Sequence, residues 1–323
     1  MFEKFNLLEI PKGKGSIFNA EKLENYPFAK IGINQLGYPV ILIKSKSDKT
    51  FLSQKNIRLE YLELLYNIEC KVTINQKSKY SNYTIIIFKS KEYTLQKYFL
   101  SITESLLNEL TKLPSQKEIY RIFKDFVEIF RSISNPPKTT VQGLWCELLL
   151  IETSSNPKIL LDYWHNIPEE KFDFNADQEK IEVKSSSTLE RKHIFTSEQL
   201  NASTGKKIII SSIFAKQSSS GKDIATLMNS IKVRVNDQEL IGKLLMIVGE
   251  TLGNALEQGL SIKFDYELAK DSINFYDSSK ISKIEELHIP SSVSEVKYKS
   301  DLTNVKTIIP NKISITGRLF SGV

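Results

Sequence analysis

Two apolar runs rich in β-branched residues, "YPVILIKS" (38–45) and "YTIIIFKS" (83–90), stand in the first third of the chain, bounded by Gly, Ser, Lys and Asn. Runs of that length and composition predict strands. Between them, "IRLEYLELLYNIECKVTI" (57–74) mixes periods and is read as strand pairs. From about residue 95 the spacing turns helical: in "LQKYFLSITESLLNELTKL", Phe99, Ile102, Leu106, Leu107 and Leu110 fall on one stripe. "SQKEIYRIFKDFVEIFRSI" repeats the pattern, and Ser115 with Glu118 three residues later predicts a capping box at its start.

"SISNPPKTT" (132–140) then interrupts the periodicity. Asn-Pro-Pro cannot continue a helix, and the Ser and Thr around it favour an exposed connection. We expect the domain boundary here: a β-rich domain ending in two helices over 1–135, and a second domain over 136–323. The second opens with a helix at "TVQGLWCELLLIETSS" (140–155). Strands are expected at "KIEVKSS" (180–186), "RKHIFT" (191–196) and "KKIIISSIFAK" (206–216), with a helical turn at "SEQLN" (197–201). Helices follow at "GKDIATLMNSIKVRV" (221–235) and "DQELIGKLLMIVGETLGNAL" (237–256). This order fits an α/β (α+β) architecture with a mixed sheet. Beyond about 262 the pattern reverts to strands and turns, as an extension of the second domain or a small lobe.

At 323 residues, 41% hydrophobic and 25% charged, the chain has ordinary globular composition. Its net charge of +6 favours a polyanionic partner. Two cysteines, Cys70 and Cys146, exclude a disulfide framework and a Cys-rich zinc site, and three histidines argue against a His-based one. His165 and His288 look isolated. The start "MFEKFNLLEIPKGKGS" has no long apolar run, so we expect neither a signal peptide nor a spanning helix, and a cytoplasmic protein. "PKGKGS" (11–16) lacks P-loop spacing, and "SSSGKD" (218–223) reads as a flexible basic loop.

In "KIEVKS", side chains alternate, so Ile181 and Val183 point one way and Glu182 and Lys184 the other. A solvated ion pair on a half-buried strand would look the same. Two further features weigh against that. Asp173 is flanked by Phe172 and Phe174, and the hairpin "NADQEK" (175–180) would return the chain so that Asp173 and Glu182 stand on adjacent strands. Glu147 falls at i+3 in the stripe Leu144, Glu147, Leu148, Ile151, where a carboxylate is costly unless paired or metal-bound: either it sits at the stripe's margin and reaches out to solvent, or it leans over the sheet towards the same ion. Carboxylate oxygens are the ligands that hard divalent ions prefer.

A helical Glu, then Asp, then Glu-x-Lys on the next strand resembles the PD-(D/E)xK nuclease superfamily. "GLWCELLLI", Trp164, "FDF", "IEVKSSS" and "RKHIF…QL" together, over residues 140–215, are similar to a bacterial group named for that motif and found in phage-defence gene clusters; Phe172 stands where the motif has Pro. The resemblance implies a restriction-endonuclease-like mixed sheet flanked by helices. It implies a Mg2+-dependent DNA endonuclease, with Mn2+ able to substitute, serving restriction or anti-phage defence. Asp173, Glu182 and the carbonyl of Val183 would hold the ion and Glu147 would complete the shell. Lys184 would position or deprotonate a water and stabilise the phosphate. His193 would contact a phosphate or transfer a proton, or else be a structural histidine. Gln199 would orient substrate or Lys184, or else be a surface amide. Arg191 and Lys192 would contact DNA phosphates, or else form a solvated edge. The partners implied are DNA, other defence proteins and a second copy of the chain. The competing expectation is a non-catalytic nucleic-acid-binding or scaffolding subunit on a nuclease-like fold.

Overall fold

A computed structural model describes residues 1–323 apart from 14, 47–54, 133–139, 166–170 and 202–204, and the chain forms two compact units. One comprises residues 1–138 and 241–257, the other 139–240 and 258–323. The boundary expected at 135/136 lies outside the described residues.

In the first unit, α1 (Phe2–Asn6) precedes β1 (Ile17–Leu23), β2 (Tyr26–Ile33), β3 (Pro39–Ile43), β4 (Ile57–Arg58), β5 (Leu62–Ile74) and β6 (Lys77–Phe88). The strands join in the order β1-β2-β3-β6-β5-β4, and β1 also pairs in parallel with β5. Five strands therefore close on themselves, which covers edges that would otherwise be exposed. Phe18, Val40, Leu42, Cys70, Val72 and Ile85 fill the interior. The mixed period of 57–74 has a local cause. The register of β5 slips between Leu65 and Ile68, with Asn67 in the left-handed region at φ 51°. The slip flips the alternation, so Leu65 and Ile68, an odd and an even position, pack against the same cluster.

The other face of this sheet meets α2 (Tyr93–Asn108) and α3 (Gln116–Ser132), with Phe88 stacked on Phe99 at 4.8 Å between ring centroids. That explains the unbroken apolar run of β3, which is buried at all five positions. The capping box is present: Ser115 Oγ accepts from Glu118 N (3.2 Å), and Glu118 Oε2 accepts from Ser115 N (2.8 Å).

The second unit starts with α4 (Val141–Thr153), capped by Thr140 Oγ1, which accepts from Gly143 N. Then come α5 (Pro157–Asp162), β7 (Phe174–Ala176), β8 (Glu179–Ser186), β9 (Lys192–Thr196), α6 (Ser197–Leu200), β10 (Lys207–Phe214), β11 (Gln217–Asp223) and α7 (Ile224–Val235). From Ile241 on, α8 (Gln238–Leu252) belongs to the first unit; the second resumes at Gln258 within α9 (Leu256–Ser261) and continues through β12 (Lys263–Phe264), α10 (Tyr266–Asp271), β13 (Asn274–Asp277) and β14 (Lys297–Asp301). A mixed four-stranded sheet runs β13-β10-β8-β7: β8 and β10 are parallel, and the outer strands are antiparallel to them. Helix α4 packs on β8 and against α7. All eight residues from Leu144 to Ile151 are buried, so over those two turns the helix is covered all round and not along one stripe alone.

Two expectations fail. Strand β9 does not join the mixed sheet but pairs with β14 in a separate ribbon, Ile194 opposite Lys299. "SSSGKD" lies within β11 rather than in a free loop: Lys222 and Asp223 pair with β12, and residues 218–221 fall in a register break between Gln217 and Lys222. Gly221 explains this, since a Cβ there would collide with the Phe264 carbonyl, and only the missing side chain lets the two backbones meet. Helix α7 accordingly starts three residues later than expected, at Ile224, where Asp223 Oδ1 accepts from Thr226 N (2.7 Å). Among the described residues, no helix is long and apolar enough to cross a membrane.

Candidate metal centre

Glu147, in the middle of α4, is 4% exposed. Its burial is compensated at one oxygen: Trp164 Nε1 donates to Oε2 at 2.8 Å, and His165 Nε2 lies 2.8 Å from the same oxygen. Trp164 is fully buried and has its N–H committed to this bond.

Asp173 sits immediately ahead of β7, anchored by Phe172 and Phe174 as the alternation requires. The hairpin forms, with Asp177 left-handed at φ 62° and Phe174 opposite Ile181. One step further along that register Asp173 faces Glu182, and its Oδ2 accepts from Val183 N at 2.6 Å. Residues 163–165 run along the other side of β7: Asn175 N donates to Tyr163 O, Trp164 bridges Phe174, and His165 N donates to Asp173 O (3.1 Å). This pairing delivers His165 to the site. Spacing gave no hint of it, because the Trp164–Phe174 bridge that places it joins a turn to a strand ten residues on.

Glu182 is 6% exposed, so the solvated-pair alternative for Glu-x-Lys does not describe this strand. Its Oε1 accepts from Lys184 Nζ (2.7 Å) and Gln199 Nε2 (2.6 Å). Gln199 Oε1 in turn accepts from Lys184 Nζ (3.0 Å) and from Thr196 N (3.1 Å), so the amide that caps α6 also fixes the acid and the ammonium of β8. Lys184 Nζ also lies over the Phe195 ring, 5.3 Å from its centroid.

Burial pushes the Asp173 carboxyl well above the usual carboxylate range, and the neighbouring charges of Glu182 and Glu147 push it further than Val183 N–H and Lys184 pull it back. Burial likewise raises Glu182 despite Lys184. Three carboxylates thus share a neighbourhood with too little positive charge, an imbalance that a divalent cation relieves. One ligand atom each from Glu147, His165 and Asp173 lie within 4.8 Å of one another. Two carboxylates and an imidazole are a donor set that divalent ions accept, so the residues fit such an ion.

The remaining candidates are differently occupied. His193 is 4% exposed, with Nε2 2.7 Å from Ser212 Oγ. Burial, followed by the charges of Lys184, Arg191 and Lys299, lowers it to about 4, so it is neutral near pH 7. Arg191 NH1 donates to Ser212 O and Ser212 Oγ and NH2 to Ser272 O, with the guanidinium stacked on Phe214 at 4.4 Å. Lys192 is exposed and pairs with Glu190 at 3.4 Å.

A family model described as "Putative PD-(D/E)XK family member, (DUF4420)" matches residues 4–303. No curated protein and no solved structure matches the chain.

Proposed function

The chain belongs to this PD-(D/E)XK family, and from that premise we propose that it is a metal-dependent endonuclease hydrolysing DNA phosphodiester bonds. The observation that carries the reading is the convergence of Glu147 from α4, Asp173 from the start of β7, and Glu182 and Lys184 from β8 around one part-buried spot. Asp173 and Glu147 would hold the cation, with Glu182 and the Val183 carbonyl completing the oxygen set. A divalent ion there supplies Lewis-acid polarisation of a phosphoryl oxygen and acidifies water. Lys184, tethered by Glu182 and Gln199, offers a fixed positive charge to the negative charge that develops on the phosphate. Trp164 holds the Glu147 carboxylate in place. Lys192, exposed on β9, would contact a phosphate outside this cluster. Mg2+ with Mn2+ as substitute, and service in restriction or anti-phage defence, follow from the resemblance over residues 140–215.

Labelled duplex DNA, single-stranded DNA and RNA, incubated in parallel with Mg2+ or Mn2+, test the reading. Duplex DNA is expected to be cut, EDTA to stop the reaction, and Asp173→Ala or Lys184→Ala to slow it by ~10²-fold or more while leaving the fold intact. Equal cutting by both variants would remove the assignment. RNA cut in preference to DNA would move the substrate class.

A further inference from the structure

We propose that His165 is a nitrogen ligand of the cation, so that the centre selects a first-row transition ion such as Mn2+ over Mg2+. The inference rests on the reading of the site as a metal centre. It adds a ligand to the all-oxygen set of Asp173, Glu182, Glu147 and Val183.

The geometry favours the imidazole. Glu182 Oε1 is already engaged by Lys184 and Gln199, whereas the three ligand atoms gathered within 4.8 Å belong to Glu147, His165 and Asp173. The His165 ring is placed by its own backbone. Its N–H is bonded to Asp173 O, its neighbour Trp164 bridges Phe174, and the residue takes up φ 44°. Trp164 Nε1 fixes Glu147 Oε2 on one side, and His165 Nε2 meets the same oxygen on the other. The His165 side chain is 28% exposed, which leaves an approach from solvent. An imidazole nitrogen suits borderline ions, while Mg2+ prefers oxygen donors and gives up its water reluctantly.

The test uses the full chain, stripped of metal and loaded with Mn2+ alone. Pulsed electron paramagnetic resonance is expected to show imidazole 14N modulation that changes frequency when histidine is labelled with 15N. The signal should vanish in His165→Asn, a substitution chosen because Asn tolerates the left-handed backbone and offers an oxygen instead. Competition titration should show Mn2+ affinity falling by about 10–100-fold in that variant, with Mg2+ affinity changing far less. A melting curve of the metal-free variant checks the fold, and His165→Gln replaces it if the Asn variant does not fold. Mn2+ binding that Asp173→Ala cancels, but without histidine modulation and with an unchanged Mn2+/Mg2+ ratio in the His165 variant, would overturn the role of His165 and leave an all-oxygen centre. No Mn2+ binding by the wild type would overturn the metal centre as well.

Discussion

The strand that carries Glu182 and Lys184 begins at Glu179, a fully buried carboxylate that grips the C-terminal segment. Its Oε1 accepts from Ser314 Oγ (2.5 Å), Ile315 N (2.7 Å) and Thr316 N (3.0 Å), and Oε2 accepts from Phe320 N (3.0 Å). Burial alone would raise this group, but the four bonds more than offset it and hold the carboxyl below its ordinary value of 4.5. Glu179→Gln keeps the shape and removes the charge. Three bonds to Oε1 pass from charge-assisted to neutral and lose about 0.5–2 kcal/mol apiece, and the new NH2 faces Phe320 N–H and strands it at ~1–3 kcal/mol. Neighbouring donors relax together, so the sum is set at about 3–5 kcal/mol, a large share of a typical stability of ~5–15 kcal/mol. The pH dependence has a definite sign. The folded-state value is depressed, so the stabilisation is fully present above the unfolded value of 4.5 and is lost as pH falls through the lower folded value. Urea unfolding of both proteins at pH 7 and at steps into the acid range measures the gap. It should be largest at neutral pH and close in acid, where protonated Glu179 resembles Gln. A gap below ~1 kcal/mol at pH 7, or one that does not change with pH, would refute the reasoning.

Three further outcomes are expected. Gln199→Leu, which unties Lys184 and Glu182, should lower kcat for DNA cleavage about tenfold or more at unchanged KM; equal kcat would deny it a positioning role. Gly221→Ala should cost ~1–3 kcal/mol in chemical denaturation, because the new methyl meets the Phe264 carbonyl; an unaffected midpoint would contradict the pairing of β11 with β12. Burial, with a contribution from Glu69, raises the Cys70 thiol to about 11, and burial raises Cys146 beyond that, so a thiol reagent at pH 8 should label neither until the chain is unfolded.

The elements written in periodicity were readable from sequence: β3 and β6 from their β-branched runs, α3 from its capping box, β8 from its alternation. What escaped depends on pairing between segments distant in the chain. Closure of the first sheet needs β1 to find β5, and nothing local in either strand announces it. Strand β9 has the composition of a sheet strand, but its partner lies about a hundred residues on, at β14. Gly221 reads as a loop residue because glycine serves loops and close backbone contacts alike. At the site, Asp173, Glu182 and Lys184 followed from a hairpin and period two, and Glu147 from a carboxylate misplaced in an apolar helix. His165 did not follow, because the Trp164–Phe174 bridge that delivers it is a tertiary event. Arg191 illustrates the converse: a charge read as a phosphate contact is turned inward onto Ser212 and Ser272.

Manganese soaked into crystals of the full chain, located by its anomalous scattering, addresses the metal centre most directly. The account predicts one strong peak at coordination distance, roughly 2.0–2.6 Å, from the carboxylates of Glu147 and Asp173. Ordered crystals with no peak at that position, or with manganese only at other carboxylates, would contradict it.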